Sequence, residues 1–308
     1  MHLLREITAG GYPTDYLAAR VRGRRAALRA EQRRERAPEP SVAPSDEAIW
    51  DELLTEYDWL RRQMTPHLRR DFAPVFMLFG IKTLVLCLRN KAAERHAELE
   101  RLLRHELLDD ELRDALLRAP EAGAAATVIA AAFGPVLGDA RGLARAYAEG
   151  GIKTFETRLT RDYLGHVTAQ RLHPAIRRFF AVFIDLRNLM ALYKHLRWGC
   201  DDAAAFLPGG TIDASRLREA SARGDSAYLD ASVRELAGLA APAAGEVALE
   251  SRLLGSLTRG LRKAGREGDD VELILDYLWS VYVDARNRAL RLHAVDVDAP
   301  VLERELIG

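Results

Sequence analysis

An all-α fold is predicted, on three observations. Nearly every segment of the chain carries apolar residues at helical spacing, and β-branched alternation is scarce. The interruptions are Gly- and Pro-containing stretches of ordinary connection length. A short polar motif also recurs three times inside apolar helical stretches: Gly80-Ile81-Lys82-Thr83-Leu84, Asp185-Leu186-Arg187-Asn188-Leu189 and Asp284-Ala285-Arg286-Asn287-Arg288. The separations are 105 and 99 positions, so a unit of about 100 residues fills the 308-residue chain three times. Phe155-Glu156-Thr157-Arg158-Leu159 likewise returns as Leu249-Glu250-Ser251-Arg252-Leu253, 30 and 35 residues ahead of the second and third motifs. Solenoid repeats are roughly 20–50 residues long, so the longer period predicts three pseudo-repeated helical subdomains around a pseudo-threefold axis. Their expected bounds are residues 1–110, 111–210 and 211–308, within one continuous domain.

The first helix is predicted to start at Tyr12-Pro13-Thr14-Asp15, where a first-turn proline loses no hydrogen bond and the acid faces the helix dipole. It should run to about Arg36. Leu17, Val21 and Leu28 can share an apolar side, while Arg22, Arg25, Arg29, Arg33 and Arg36 form a basic stripe. Eight arginines between Arg20 and Arg36 face only Glu31 and Glu35. The stripe is either a contact for acidic lipid heads, an acidic partner surface or nucleic acid, or a solvated helix face. A loop with Pro38, Pro40 and Pro44 follows and ends at Ser45 and Asp46, an N-cap for a helix from about Glu47. Further loops are expected at residues 119–123, 150–151, 199–211, 237–245 and 265–269. The charge-free stretch from Ala122 to Gly138 is expected to be a buried helix pair broken at Gly134-Pro135.

The three motif helices are the most apolar in the chain. Phe76, Leu78, Phe79, Ile81, Leu84, Val85 and Leu88 surround Lys82 and Thr83, and the stretch from Phe179 to Leu192 is interrupted by Asp185, Arg187 and Asn188. Leu273 to Val283 leads into Asp284, Arg286 and Asn287. A polar group in such surroundings must find partners or line a cavity, because leaving one buried and unpaired costs roughly 1–3 kcal/mol. The alternative is that each motif marks where its helix reaches the surface. Lys82, Thr83, Arg187, Asn188, Arg286 and Asn287 are therefore candidates for lining a shared axis, and Lys82, Arg187 and Arg286 are equally suited to bracing neighbouring subdomains through salt bridges.

Lysine plus arginine equals aspartate plus glutamate at 45 each, so no global attraction for nucleic acid or an anionic membrane arises. Cys87 and Cys200 form no CxxC pair, which implies neither a disulfide framework nor a zinc site and fits a reducing compartment. No signal-like segment opens the chain and no uninterrupted apolar run of 18 residues follows, so neither export by such a signal nor a membrane span is expected. Phosphate loops, GxGxxG, HExxH and GxSxG are lacking, and no two histidines stand at i, i+4. Glu56 with Asp58, and Asp109-Asp110-Glu111, are acidic clusters of the surface or helix-start kind. The expectation is a chain with no catalytic residues, no metal site and no cofactor.

At this point a resemblance becomes specific. Tyr16-Leu17-Ala18-Ala19-Arg20-Val21-Arg22-Gly23-Arg24, Asp185-Leu186-Arg187-Asn188-Leu189 running to Leu196-Arg197, Phe206-Leu207-Pro208-Gly209-Gly210, and Asp284-Ala285-Arg286-Asn287 together resemble the C/d subunit of A-type and V-type rotary ATPases. The resemblance implies a three-fold pseudo-symmetric helical funnel that acts as a rotor adapter without covalent chemistry. It also implies two sets of partners, the membrane-ring subunits below and the central-shaft subunits received in the hollow. The place implied is the cytoplasmic face of the membrane, with peripheral contact only. The Pro-rich loop, the Ala-rich stretch and the divergent Lys82-Thr83 copy depart from the family pattern. The competing class is a soluble α-helical scaffold or regulator that binds nucleic acid through the helix between Arg20 and Arg36. That helix has no aromatic residue after Tyr16 to interleave with its arginines, so no nucleic-acid partner is expected.

Overall fold

The computed structural model describes residues 2–35, 45–104, 107–199, 206–238, 246–294 and 298–307. Among these, all regular structure is α-helical, apart from one isolated antiparallel bridge between Leu4 and Leu108. The all-α expectation therefore holds. The Pro-rich loop, Arg36 and Cys200 lie outside the described residues, and of Arg33 only the backbone is described.

The chain divides into two compact units, Met1–Gly11 with Leu54–Leu172, and Tyr12–Leu53 with His173–Gly308. The first holds the end of α2 (Asp46–Gln63), α3 (Pro66–Ala92), α4 (His96–Arg104), α5 (Asp110–Arg118), α6 (Ala122–Leu137) and α7 (Ala140–Ala169). Helix α3 starts where Thr65 accepts from the Leu68 N–H at 3.3 Å and Pro66 occupies the first turn. It is long and apolar enough to cross a membrane, which the absence of an uninterrupted 18-residue apolar run did not predict. Two-thirds of its most apolar window is buried in the protein, where Phe72, Phe76, Leu84 and Leu88 are core residues. Its composition is thus accounted for by packing on α4, α6 and α7. Lys91, buried near the end of α3, donates to the Leu117 carbonyl at 3.0 Å and to the Ala119 carbonyl, closing α3 on the end of α5.

Two expectations change here. Gly134-Pro135 does not break the Ala-rich stretch, which is one helix, α6, ending at Gly138 in the left-handed conformation. Pro135 falls in the last turn, where its missing N–H removes only one bond of the ladder. Gly151, by contrast, adopts φ +66° and ψ −158° inside α7 and kinks it, so the predicted break at residues 150–151 is a joint within a continuous helical run. The N-terminal segment is strapped onto this unit through its backbone. Arg61 donates to the Arg5 carbonyl at 2.8 Å, Arg69 donates to the Ile7 carbonyl at 2.8 Å and to that of Ala9, and the Arg5 N–H donates to Leu107 at 2.9 Å. Burial pushes the Arg61 guanidinium down to about 10.

The second unit contains α1 (Thr14–Glu35), the start of α2, α8 (Pro174–Trp198), α9 (Ala214–Arg223), α10 (Ser226–Ala237), α11 (Glu246–Glu267), α12 (Asp270–His293) and α13 (Ala299–Glu305). Helix α1 has the predicted start and extent, and the Ser45 hydroxyl accepts from the Ala48 N–H at 3.2 Å at the head of α2. Helices α11 and α12 form a hairpin joined by Gly268 and Asp269 alone, shorter than the loop predicted at residues 265–269. Asp269 and Glu272 complete a capping box there, with Glu272 N–H donating to Asp269 at 2.9 Å and Asp269 N–H to Glu272 at 3.0 Å. Trp279 is fully buried, with its Nε1 donating to the Thr258 hydroxyl at 2.8 Å and its ring meeting Phe179 edge-on. Helices α8, α11, α1 and α12 thus share a core.

Candidate functional site

On α8 the motif residues Asp185 and Asn188 sit three apart, so both face the same side of the helix, and both are essentially without exposure. Buried groups of this kind need partners. Asn188 finds both of its partners on the main chain of one residue: Nδ2 donates to the Leu207 carbonyl at 2.9 Å and Oδ1 accepts from the Leu207 N–H at 2.7 Å. One turn earlier, the Asp185 carboxylate accepts from the N–H of Thr211 at 2.9 Å, the N–H of Ile212 at 3.0 Å and the Thr211 hydroxyl. The chain can come this close because position 210 is glycine, where an added Cβ would lie 2.1 Å from Asp185 Oδ1. Gly209 supplies the turn with φ +96°. The second motif and the Phe206–Gly210 stretch, distant in sequence, are two halves of one clamp.

Helix α12 repeats the amide half of that clamp. Asn287 Nδ2 donates to the Ile307 carbonyl at 2.7 Å, and Oδ1 accepts from the Ile307 N–H at 3.0 Å. Each asparagine therefore grips the main chain 19 or 20 residues downstream. Arg286 Nη1 and the Ser251 hydroxyl both donate to the Glu305 carbonyl, at 3.2 and 3.0 Å, and fix the residue two before the gripped one. Ser251 belongs to the second recurring segment, and its flanking Leu249 and Leu253 are buried, as are Phe155 and Leu159 in the earlier copy. Asp284 departs from Asp185: it accepts from Gln32 Nε2 at 2.9 Å, and burial raises its pKa against the opposing hydrogen bond from Gln32.

The first copy has Gly80 and Thr83 where the others have the aspartate and asparagine. Thr83 is buried and Lys82 exposed on α3, while Arg187 is exposed on α8 and Arg286 is half-buried. The structure brings Arg286 and Asn287 together on one segment and turns Arg187 away from the Asn188 clamp. Thus the polar residues of the second and third motifs do find partners, and the reading of each motif as a point of emergence fits only the exposed Lys82 and Arg187.

The basic stripe of α1 is not uniform. Arg22 is exposed and donates to Asp270 at 3.1 Å, and Arg29 is exposed. Arg25 instead turns inward and forms a buried ion pair with Asp276, whose side chain is 0% exposed. Its Nη1 and Nη2 also reach the carbonyl oxygens of Gly265 at 3.1 Å and Arg262 at 3.4 Å, while its buried Nε makes no hydrogen bond among the described residues. Burial lowers the Arg25 pKa and raises that of Asp276, and the mutual attraction of the pair opposes both shifts. An added Cβ at Gly265 would lie 2.7 Å from the Asp276 Cβ, so a glycine is what lets α11 approach. The pair was missed in the sequence, although Leu17, Val21 and Arg25 stand four apart and share the buried side of α1.

Beyond these, a cleft of about 230 Å³ lies between the end of α8, α10 and the start of α11, lined by Tyr193, Leu196, Leu229 and Val233, with Arg197 and Asp230 at its edges. Among the described residues no group of His, Cys, Asp and Glu is arranged to hold a metal ion. The acidic clusters do helix-end work: Asp109 accepts from the Glu111 N–H at 3.1 Å at the head of α5, and Asp58 pairs with Arg62 at 2.6 Å along α2. What this architecture offers is a set of side-chain grips on main chain. None of the curated proteins matches the chain. The family described as ATP synthase (C/AC39) subunit matches it over residues 30–288, most of its length, including all of α8 and α12 up to its final turn.

Proposed function

Because the chain belongs to the ATP synthase (C/AC39) subunit family and is a subunit of a V/A-type rotary ATPase, we propose that it is the non-catalytic rotor adapter of that machine. In this reading it joins the central-shaft subunits to the membrane-ring subunits on the cytoplasmic face, as part of a complex peripheral to the membrane. The observation that carries the reading is the family match over residues 30–288.

The physical case is one of stiffness. A coupling element must pass torque between two interfaces without deforming, so its connecting segments need fixing as well as its helices. Asn188 and Asp185 fix residues 207–212, and Asn287, Arg286 and Ser251 fix residues 305–307. A catalytic role would ask for a pocket with convergent titratable groups. The 230 Å³ cleft offers Arg197 and Asp230 as its charged groups, beside Tyr193, Ser226 and four aliphatic residues. The three motif helices are proposed to stand around a pseudo-threefold axis as a funnel, in subdomains of residues 1–110, 111–210 and 211–308. Lys82 and Arg187, exposed on their helices, are the motif residues proposed to meet neighbouring subunits. Arg187→Leu should weaken assembly by that route, and Arg286→Leu by loosening residues 305–307.

The test is a pull-down of the tagged chain from detergent-solubilised membranes of its own host at moderate salt, with the recovered proteins identified by mass. Recovery of a small hydrophobic ring protein together with a helical shaft subunit and nucleotide-binding subunits is expected. Recovery of soluble partners or nucleic acid alone would refute the adapter role.

A further inference from the structure

The arginines of α1 and α11 lie at one place in the second unit. Arg25 reaches across to the carbonyls of Arg262 and Gly265, which places the Arg25 position of α1, flanked by Arg22 and Arg29, beside the last turns of α11. There Arg262, Lys263 and Arg266 follow one another at spacings of one and three, and the charges of Arg29, Arg262 and Arg266 all bear on the Arg25 guanidinium. Arg29, Lys263 and Arg266 are exposed. Four of the described acids near this place act elsewhere or are already paired. Asp276 is buried under Arg25, Asp270 takes Arg22, Asp269 lies 3.5 Å from His173, and Glu31 acts on Asp284 instead. Among the described residues, Glu267, exposed at the end of α11, is a further carboxylate at the edge. A chain with no net charge therefore concentrates a cationic surplus on one face.

We propose that the face made by Arg29 of α1 and by Lys263 and Arg266 of α11 is a docking surface for an acidic segment of a partner protein, held by carboxylate-to-guanidinium contacts. Three observations select this occupant. Guanidinium groups pair well with carboxylates, and Arg25 of the same cluster already forms an ion pair with one, Asp276. A lipid-binding face would expose large apolar side chains beside its basic ones, whereas the exposed neighbours here are Gly23, Ala26, Ala27 and Gly260. A single-stranded nucleic acid would require aromatic platforms, and the exposed Tyr12 and Tyr16 lie at the opposite end of α1, more than three turns from Arg29. The adapter reading is needed only to supply a partner in the cell. The surface itself is defined by the chain and is tested apart from that reading.

The experiment titrates fluorescein-labelled dodecaglutamate with the full chain and follows its anisotropy, at about 50 mM salt and again at about 300 mM. One variant carries Arg29→Ser, Lys263→Ser and Arg266→Ser. A second carries Arg216→Ser, Arg218→Ser and Arg223→Ser on the exposed side of α9, which changes net charge equally. Saturable binding that weakens with salt, falls about tenfold in the first variant and changes less than about twofold in the second supports the proposal. Equal loss in both variants would show a bulk charge effect and overturn it, as would no saturable binding at the lower salt. Tighter binding of phosphatidylserine vesicles or of a short DNA duplex than of dodecaglutamate, abolished by the first variant, would reassign the face to phosphates and also overturn it. Circular dichroism of each variant checks that the helices are retained, and restoring Arg29 alone to the first variant should recover part of the affinity.

Discussion

Replacing Asn188 by leucine removes the α8 clamp while keeping the side chain's approximate size. Both bonds that Asn188 makes are buried, at 2.7 and 2.9 Å, and both end on Leu207, so the substitution strands one N–H and one C=O in an apolar setting. Each stranded group costs about 1–3 kcal/mol. The added apolar burial returns about 1–2 kcal/mol, so the middle of these ranges gives a net loss of about 2–3 kcal/mol. Asn287→Leu removes the same two bonds, but that clamp is partly exposed, so water can replace them and about 1 kcal/mol is expected. Two compact units make simple two-state unfolding an unsafe assumption. The measurement is therefore local, namely native-state hydrogen exchange at the Leu207 and Ile307 amides, supported by urea midpoints. Asn188→Leu should accelerate exchange at Leu207 by more than an order of magnitude without touching Ile307. Unchanged protection at Leu207, or a larger cost at Asn287 than at Asn188, would refute the argument from burial.

Three further outcomes follow from the same structure. Arg25→Met leaves the Asp276 carboxylate buried without its partner and should cost about 3–5 kcal/mol, whereas Arg25→Met with Asp276→Leu should regain most of that loss; urea midpoints of the four proteins of the cycle measure it. Burial raises the Asp284 pKa above its ordinary 3.8, so between that value and the raised one the folded chain holds a proton that the unfolded chain has released. Stability contributed by this group is thus full below 3.8 and is lost as pH rises through the raised value; Asp284→Asn should flatten that slope in melts taken at stepped pH, and an unaltered slope would exclude Asp284 as its source. Gly210→Ala drives a methyl group into the Asp185 carboxylate and should cost about 1–3 kcal/mol, while Gly165→Ala, helical and with open space around it, should gain up to about 1 kcal/mol in the same thermal melts.

Sequence carried the helices because they are dictated locally. Periodicity placed α1 and α8, Pro13 and Ser45 marked starts, and Gly151 marked the joint in α7. The connections after Gln63 and Ala169 lack glycine clusters and were not placed as loops, although Pro66 and Pro174 stand at the starts of the helices that follow, where Thr65 and His173 complete the caps. The motif residues were visible as polar intruders in apolar helices, yet their function of gripping the main chain was not. Asn188 and Asn287 bind peptide groups, and a peptide group leaves no trace in the identity of the residue that presents it. Arg25 was misread for a different reason: arginine among arginines looks like surface, and only its four-residue spacing from Val21 and Leu17 argued otherwise.

A hold that recognises only amide and carbonyl is indifferent to the vocabulary of what it holds. Leu207 precedes a proline and a double-glycine turn, and Ile307 follows a short helix, yet the same carboxamide seats both. Side chains at 207 and 307 are therefore judged by their fit to the core alone, and the segments leading to them are free to change length and composition so long as the N–H and C=O of one residue arrive within reach. Drift in the connecting segments and constancy of the anchoring helices can coexist in a single chain for this reason.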